Sequence, residues 1–186
     1  MAKLIYVSNV SLDGYIEDEH GTFDWTVPSD EVFAFITDLL RSVGTHLYGR
    51  RLYDTMAVWE TDPALATQSE LMGDFANVWR AADKVVYSTT LDAVPTAKTT
   101  LERNFDPESV RGLKASATGD LIVGGPNLAA HAFKAGLVDE CQLFIVPVLL
   151  GGGKPSLPVD TRAELTLLDE RRFSNGVVYL RYGTHV

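Results

Sequence analysis

The sequence predicts an α/β fold with a mainly parallel central sheet, helices on both faces and an antiparallel hairpin at the C-terminal edge. Three observations carry that prediction. Short, apolar, β-rich runs alternate with stretches whose apolar residues recur at helical spacing. In two places a glycine closes a strand-like run and a helix-like stretch begins at once. Near the C-terminus, Ser174-Asn175-Gly176 separates two alternating segments, and Asn-Gly in that position is the strongest short-range hairpin signal.

Each element has a local reason. Residues 3–10 (KLIYVSNV) are short and β-rich, so they read as a strand. A long loop follows over 11–25, punctuated by Asp13-Gly14 and His20-Gly21, with a short extended piece at Tyr15-Ile16. Loops of that length in a small domain are usually functional. Ser29 is a plausible N-cap, and Val32, Phe33, Phe35, Ile36, Leu39 and Leu40 recur at helical spacing, with Gly44 as the expected stop. A strand over 45–48 leads into a helix over 50–58, and a further helix is expected over 68–82. Strands are read at 84–88, 99–102, 120–123 and 140–148, and helices at 107–115 and 126–135, the latter stopped by Gly136. The hairpin strands are 164–173 and 177–182.

A chain of 186 residues with no repeat or linker is read as one domain over 1–186, long enough to bury a core without staples. The single cysteine, Cys141, excludes a disulfide framework and a cysteine-built zinc site. No apolar run approaches the ~20 residues of a membrane span. The N-terminus lacks the continuous apolar stretch of a signal peptide, so a cytoplasmic protein is expected. With 16 basic and 25 acidic residues the net charge is −9, which argues against nucleic acid or an anionic membrane as partner. An anionic ligand would need a local cluster of donors.

Two strand–glycine–helix junctions offer such clusters: HLYGRRLYD over 46–54 and LIVGGPNLAAHAF over 121–133. Free N–H groups and the positive dipole end at a helix start favour an anion, and glycine lets it approach the backbone. Arg50 and Arg51 add charge at the first junction, and guanidinium suits phosphate. Each junction alone could equally be a tight turn. Together they fit a ligand with two separated phosphates, although neither is a G-x-G-x-x-G or a P-loop. Gly151-Gly152-Gly153-Lys154 is either a flexible loop or a place of close approach. The four histidines are scattered, so no metal site is expected, and no G-x-S-x-G nucleophile occurs. Cys141 reads as an inert core residue. Asp30, in the first turn of an amphipathic helix behind Trp25 and Pro28, could serve a polar heterocycle or relay a proton, or it could simply suit the helix dipole. Glu31 is its neighbouring alternative, and Asp13 is most simply a turn residue.

The residues resemble the dihydrofolate-reductase-like superfamily, and most closely the RibD C-terminal reductase-like family of stand-alone proteins. The resemblance rests on Ser11-Leu12-Asp13-Gly14-Tyr15-Ile16, Asp24-Trp25, Tyr48-Gly49-Arg50-Arg51-Leu52-Tyr53 and Val86-Tyr87-Ser88-Thr89-Thr90-Leu91. It continues through Gly124-Gly125-Pro126-Asn127-Leu128, Gly136-Leu137-Val138-Asp139-Glu140 and Pro147-Val148-Leu149-Leu150-Gly151-Gly152-Gly153. It implies a dihydrofolate-reductase-like three-layer fold with NADPH across the strand carboxyl ends. Carried over, Gly49, Arg50, Arg51, Ser88 and Thr89 face the 2′-phosphate region, while Gly124, Gly125, Asn127 and Leu128 line the pyrophosphate. The Gly-Gly bond is often cis in the superfamily. The loop from Val10 borders the nicotinamide, so Val10, Asp13, Trp25 and Asp30 fall on the substrate side, with Asp30 as the catalytic carboxylate. The implied protein is an NADPH-dependent reductase of a small heterocyclic or sugar-like imine or carbonyl, acting as a homodimer. Its rivals are dihydrofolate reduction proper and a non-catalytic NADPH-binding module. No deaminase segment accompanies the reductase-like part, so the bifunctional riboflavin enzyme is not expected.

Overall fold

The computed structural model describes residues 1–185 and forms an α/β sandwich around one eight-stranded sheet. The strands are β1 (Leu4–Ser11), β3 (Val43–Gly49), β4 (Asp83–Tyr87), β5 (Thr99–Glu102), β6 (Asp120–Gly124), β7 (Glu140–Val146), β9 (Glu164–Arg172) and β10 (Val178–His185). Their spatial order is β5-β4-β3-β6-β1-β7-β10-β9. The first six in that order are mutually parallel, and β10 runs antiparallel to both β7 and β9. A separate two-stranded ribbon joins β2 (Tyr15–Glu17) to β8 (Lys154–Pro155).

The helices divide between the faces because the central strands are apolar on both. Leu4, Tyr6, Leu121 and Val123 pack under α6 (Pro107–Ser116) and α7 (Pro126–Lys134) through Val110, Leu128, Ala129 and Ala132. Ile5, Tyr48, Val86 and Ile122 pack on the opposite side against α1 (Asp30–Leu40), α2 (Arg50–Met56) and α5 (Glu70–Ala81). Two one-turn helices, α3 (Val58–Thr61) and α4 (Pro63–Ala66), connect α2 to α5. The C-terminal part of the sheet meets α1 through an aromatic group, Phe35 with Phe144, Phe173 and Tyr179. β9 is exposed along all nine of its residues.

Several boundaries differ from the sequence reading for identifiable reasons. Gly44 does not stop α1; the helix ends at Leu40 with Arg41 as C-cap, and Gly44 lies inside β3, where a Cβ would touch the Gly119 backbone at 3.5 Å. β7 ends at Val146 because Pro147 has no N–H for the ladder. The helix after Gly49 closes at Met56, and α3 and α4 are too short to show periodicity. α5 starts at Glu70 because Ser69 caps it through Met72 N–H. By contrast Gly136 does end α7: it takes φ +62 and donates to Phe133 O, while Leu137 N donates to Ala132 O. The triple glycine is a place of close approach. A Cβ on Gly153 would overlap Glu17 O, far inside van der Waals contact distance, where β2 meets β8.

Candidate active site

The parallel register brings both glycine junctions to one rim, on adjacent strands. Tyr48 of β3 lies opposite Gly124 of β6, and Gly49 lies opposite Tyr87 of β4. The segments beginning at Ser88, Gly49 and Gly124 therefore emerge side by side at the strand carboxyl ends, where ligands of open α/β sheets bind. A Cβ on Gly124 would collide with Leu52 Cδ2 and crowd the Tyr48 ring, so a side chain there would require Leu52 to shift. Gly125 takes φ +89 and faces open space. The Gly124–Gly125 peptide is trans, against the cis form the resemblance suggests; the positive φ of Gly125 turns the chain instead. Pro126 opens α7, and Ala129 N makes an early intrahelical bond to Gly125 O at 3.0 Å. The N–H groups of Asn127 and Leu128 lie in the first turn, where no intrahelical carbonyl is available.

The two arginines have different partners. Arg50 Nη1 donates to the Thr90 hydroxyl at 2.7 Å, and its Nε lies 3.5 Å from Asp54 one turn along the helix. Arg51 turns the other way and grips Glu17 through two bonds of 3.1 Å each. Ser88 does not project freely: its Oγ accepts from Thr90 N at 3.2 Å and Leu91 N at 3.1 Å, which tightens the turn. Thr89 is exposed on that turn. Thr90, within the segment that carries the resemblance, and Arg103, which no sequence signal marks, both belong to this corner. Arg103 Nη1 reaches Ser88 O and Leu91 O at 3.1 and 2.6 Å.

On the other side of the rim lies a cavity of about 150 Å³ lined by Asn9, Trp25, Thr26, Val27, Pro28, Val32, Val146, Pro147, Asn175 and Val177. Trp25 lines it, as the sequence suggests. Val10 does not; strand alternation buries it at 5 % exposure and turns the preceding Asn9 to the cavity. Asp13 accepts from Ser11 Oγ, Leu150 N and Gly151 N, and these bonds, Ser11 foremost, hold its carboxyl below the usual range. It therefore latches the β1–β2 turn to the triple-glycine loop. Asp30 is exposed at the start of α1, between Pro28 and Val32, which both line the cavity. Glu31 accepts from Ser174 N and Oγ and from Arg171, the Ser174 bonds doing most to lower its carboxyl, so it ties α1 to the hairpin turn. No charged side chain lines the cavity.

Other reactive groups lie elsewhere. Burial pushes the Cys141 thiol up to about 12, so no thiolate is available near neutral pH. Among the described residues no group of three or more His, Cys, Asp or Glu could hold a metal ion, and no helix is long and apolar enough to cross a membrane.

This sheet order, with two glycine-ended junctions along one rim and Arg50 and Arg103 beside the turn after β4, agrees with the dihydrofolate-reductase-like α/β fold. The chain belongs to the RibD C-terminal domain family, whose sequence profile matches residues 2–179. It is 34 % identical over 185 residues to the uncharacterized protein YyaP of Bacillus subtilis (strain 168), covering 97 % of this chain and 94 % of that one. A putative riboflavin biosynthesis protein from Shewanella sp. PV-4 superposes with a TM-score of 0.76 at 23 % identity, over 100 % of both chains. A diaminohydroxyphosphoribosylaminopyrimidine deaminase/5-amino-6-(5-phosphoribosylamino)uracil reductase from Thermotoga maritima gives a TM-score of 0.65 at 14 % identity, over 99 % of this chain and 57 % of that one. These two structures share the fold.

Proposed function

We propose that the protein is an NADPH-dependent reductase of a small, uncharged heterocyclic imine or carbonyl. The observation that carries this reading is the adjacency of Gly49 and Gly124–Gly125 on neighbouring strands, with Arg50 on one side and the start of α7 on the other. The donor set suits a dinucleotide. Backbone N–H groups of Asn127 and Leu128 with the dipole of α7 suit a pyrophosphate, and Gly125, which faces open space, gives it access. Arg50 with Thr90 suits a ribose phosphate.

Bound NADPH would supply the hydride. The chain's own residues bind, orient and exclude water. Trp25, Val32, Val146 and Val177 form apolar walls for a flat substrate, and the amides of Asn9 and Asn175 offer neutral hydrogen bonds. Asp30, beside the mouth, would orient the substrate or a water that protonates it.

Calorimetric titration tests the reading: NADPH binds, and a chain indifferent to both NADPH and NADH would overturn it. Because Arg51 is engaged by Glu17, Arg50→Ala should weaken NADPH about tenfold, the scale of one charge-assisted bond, and Arg51→Ala by much less. Equal losses would contradict the pairing seen here. Asp30→Asn should lower turnover by about a hundredfold with NADPH affinity retained, the low end of proton-transfer effects. Unchanged turnover in a heterocycle panel would remove Asp30 from the reaction.

A further inference from the structure

We infer that Arg103 is a positioning residue that decides whether Arg50 is available to an anion at the rim, and thereby sets the preference for a phosphorylated over an unphosphorylated adenosine ribose. The inference rests on the coenzyme reading above. Arg103 directly follows β5, and the parallel pairing of Tyr87 with Glu102 places it beside the turn that leaves β4. Its Nη1 bridges the two ends of that turn, donating to Ser88 O at 3.1 Å and Leu91 O at 2.6 Å. Ser88 N donates to Glu102 O at 2.9 Å, so backbone and side chain fasten the turn together. Within it, Ser88 Oγ fixes Thr90 N, and the Thr90 hydroxyl receives Arg50 Nη1 at 2.7 Å.

Arg50 has a second, competing partner. Asp54 lies one helical turn away, with Oδ2 3.5 Å from Arg50 Nε. A guanidinium drawn wholly to Asp54 presents a neutralised pair. One drawn to a neutral hydroxyl keeps its positive charge for a ligand. The clamp by Arg103 holds the hydroxyl in place and so biases this choice. A loosened turn would also return rotamer freedom to Arg50, which binding would then have to remove.

The test compares dissociation constants for NADPH and NADH, by calorimetry, in the wild type and in Arg103→Ala, Arg103→Lys, Thr90→Val, Arg50→Ala and the Arg103→Ala/Arg50→Ala pair. Arg103→Ala and Thr90→Val should each weaken NADPH about tenfold and NADH less than about twofold, as expected for loss of one aimed charge-assisted contact. The double variant should bind NADPH no more weakly than Arg50→Ala, since Arg103 acts through Arg50. Arg103→Lys, which can still donate to a carbonyl, should recover part of the loss. Arg103→Lys carries the test if Arg103→Ala does not fold: with a weaker clamp it should weaken NADPH more than NADH, and equal changes would overturn the role. Additive losses, or equal losses for the two coenzymes, would overturn the positioning role. Equal wild-type affinity for NADPH and NADH would overturn it while leaving the coenzyme reading intact; binding of neither would remove that reading first.

Discussion

Gly153→Ala should destabilise the protein by about 3 kcal/mol, the upper end of the cost of forcing extra atoms into a packed site with backbone strain. Two independent features of the position act together. Its φ of +133 is one that side chains rarely adopt, and the added Cβ would meet a backbone oxygen, Glu17 O, which cannot swing aside. Relief requires separating β8 from β2, and Glu17 is also the residue gripped by Arg51. Gly151 is the natural comparison. It too has a positive φ, +75, but a Cβ there meets nothing within 4 Å, so Gly151→Ala should cost only the conformational part, about 1 kcal/mol. Urea denaturation of the three proteins checks this. Equal midpoints for the two variants would show that steric contact at Gly153 is unimportant.

Stability should also fall by about 3 kcal/mol as the pH drops from about 6.5 to about 4, because His46 resists protonation in the fold. Burial is the main cause, and the positive charge of Lys84, opposite His46 on β4, adds to it; together they lower the imidazole to about 4. The unfolded chain titrates near 6.5, so between these values it binds a proton the folded chain does not. The contribution is therefore complete above the unfolded value and lost on acidification. Local packing explains why His46 cannot move to water. Trp79 Nε1 meets the Tyr48 hydroxyl at 3.1 Å, that hydroxyl shares a 3.1 Å bond with His46 Nδ1, and Nε2 is buried without a partner. Carboxylates held low by their partners, such as Glu31 and Glu140, withdraw their contributions only in more acid solution. Urea melts at pH 7 and pH 5 should thus differ by about 2 kcal/mol in the wild type and by little in His46→Gln. A flat wild-type profile would contradict the buried, neutral imidazole.

The legible parts of the fold are those with local causes. Ser29 as a cap, Gly136 at positive φ and the Asn175-Gly176 turn each follow from a few neighbouring residues. The two glycine junctions could be read individually, but their adjacency could not. It depends on β6 entering the sheet between β3 and β1, a crossover that no local pattern encodes. The place of Arg103 is hidden in the sequence for the same reason, since its partners lie 12 and 15 residues away and become neighbours only through the β4–β5 register. Arg50 and Arg51 look equivalent as a sequence pair, yet α2 points one toward Thr90 and the other toward Glu17. Val10 and Asn9 exchanged roles because a single step along a strand reverses the face. Asp13 shows that a turn residue by composition can hold together segments 137 and 138 residues apart.

The bonds between Glu31 and the hairpin turn join opposite sides of the cavity lined by Trp25 and Val177. Glu31 stands one residue before Val32, and Ser174 one residue before Asn175, and those two successors both face the opening. These bonds tie a helix start to a strand turn near the mouth. Widening the opening by parting those two segments would first have to break them.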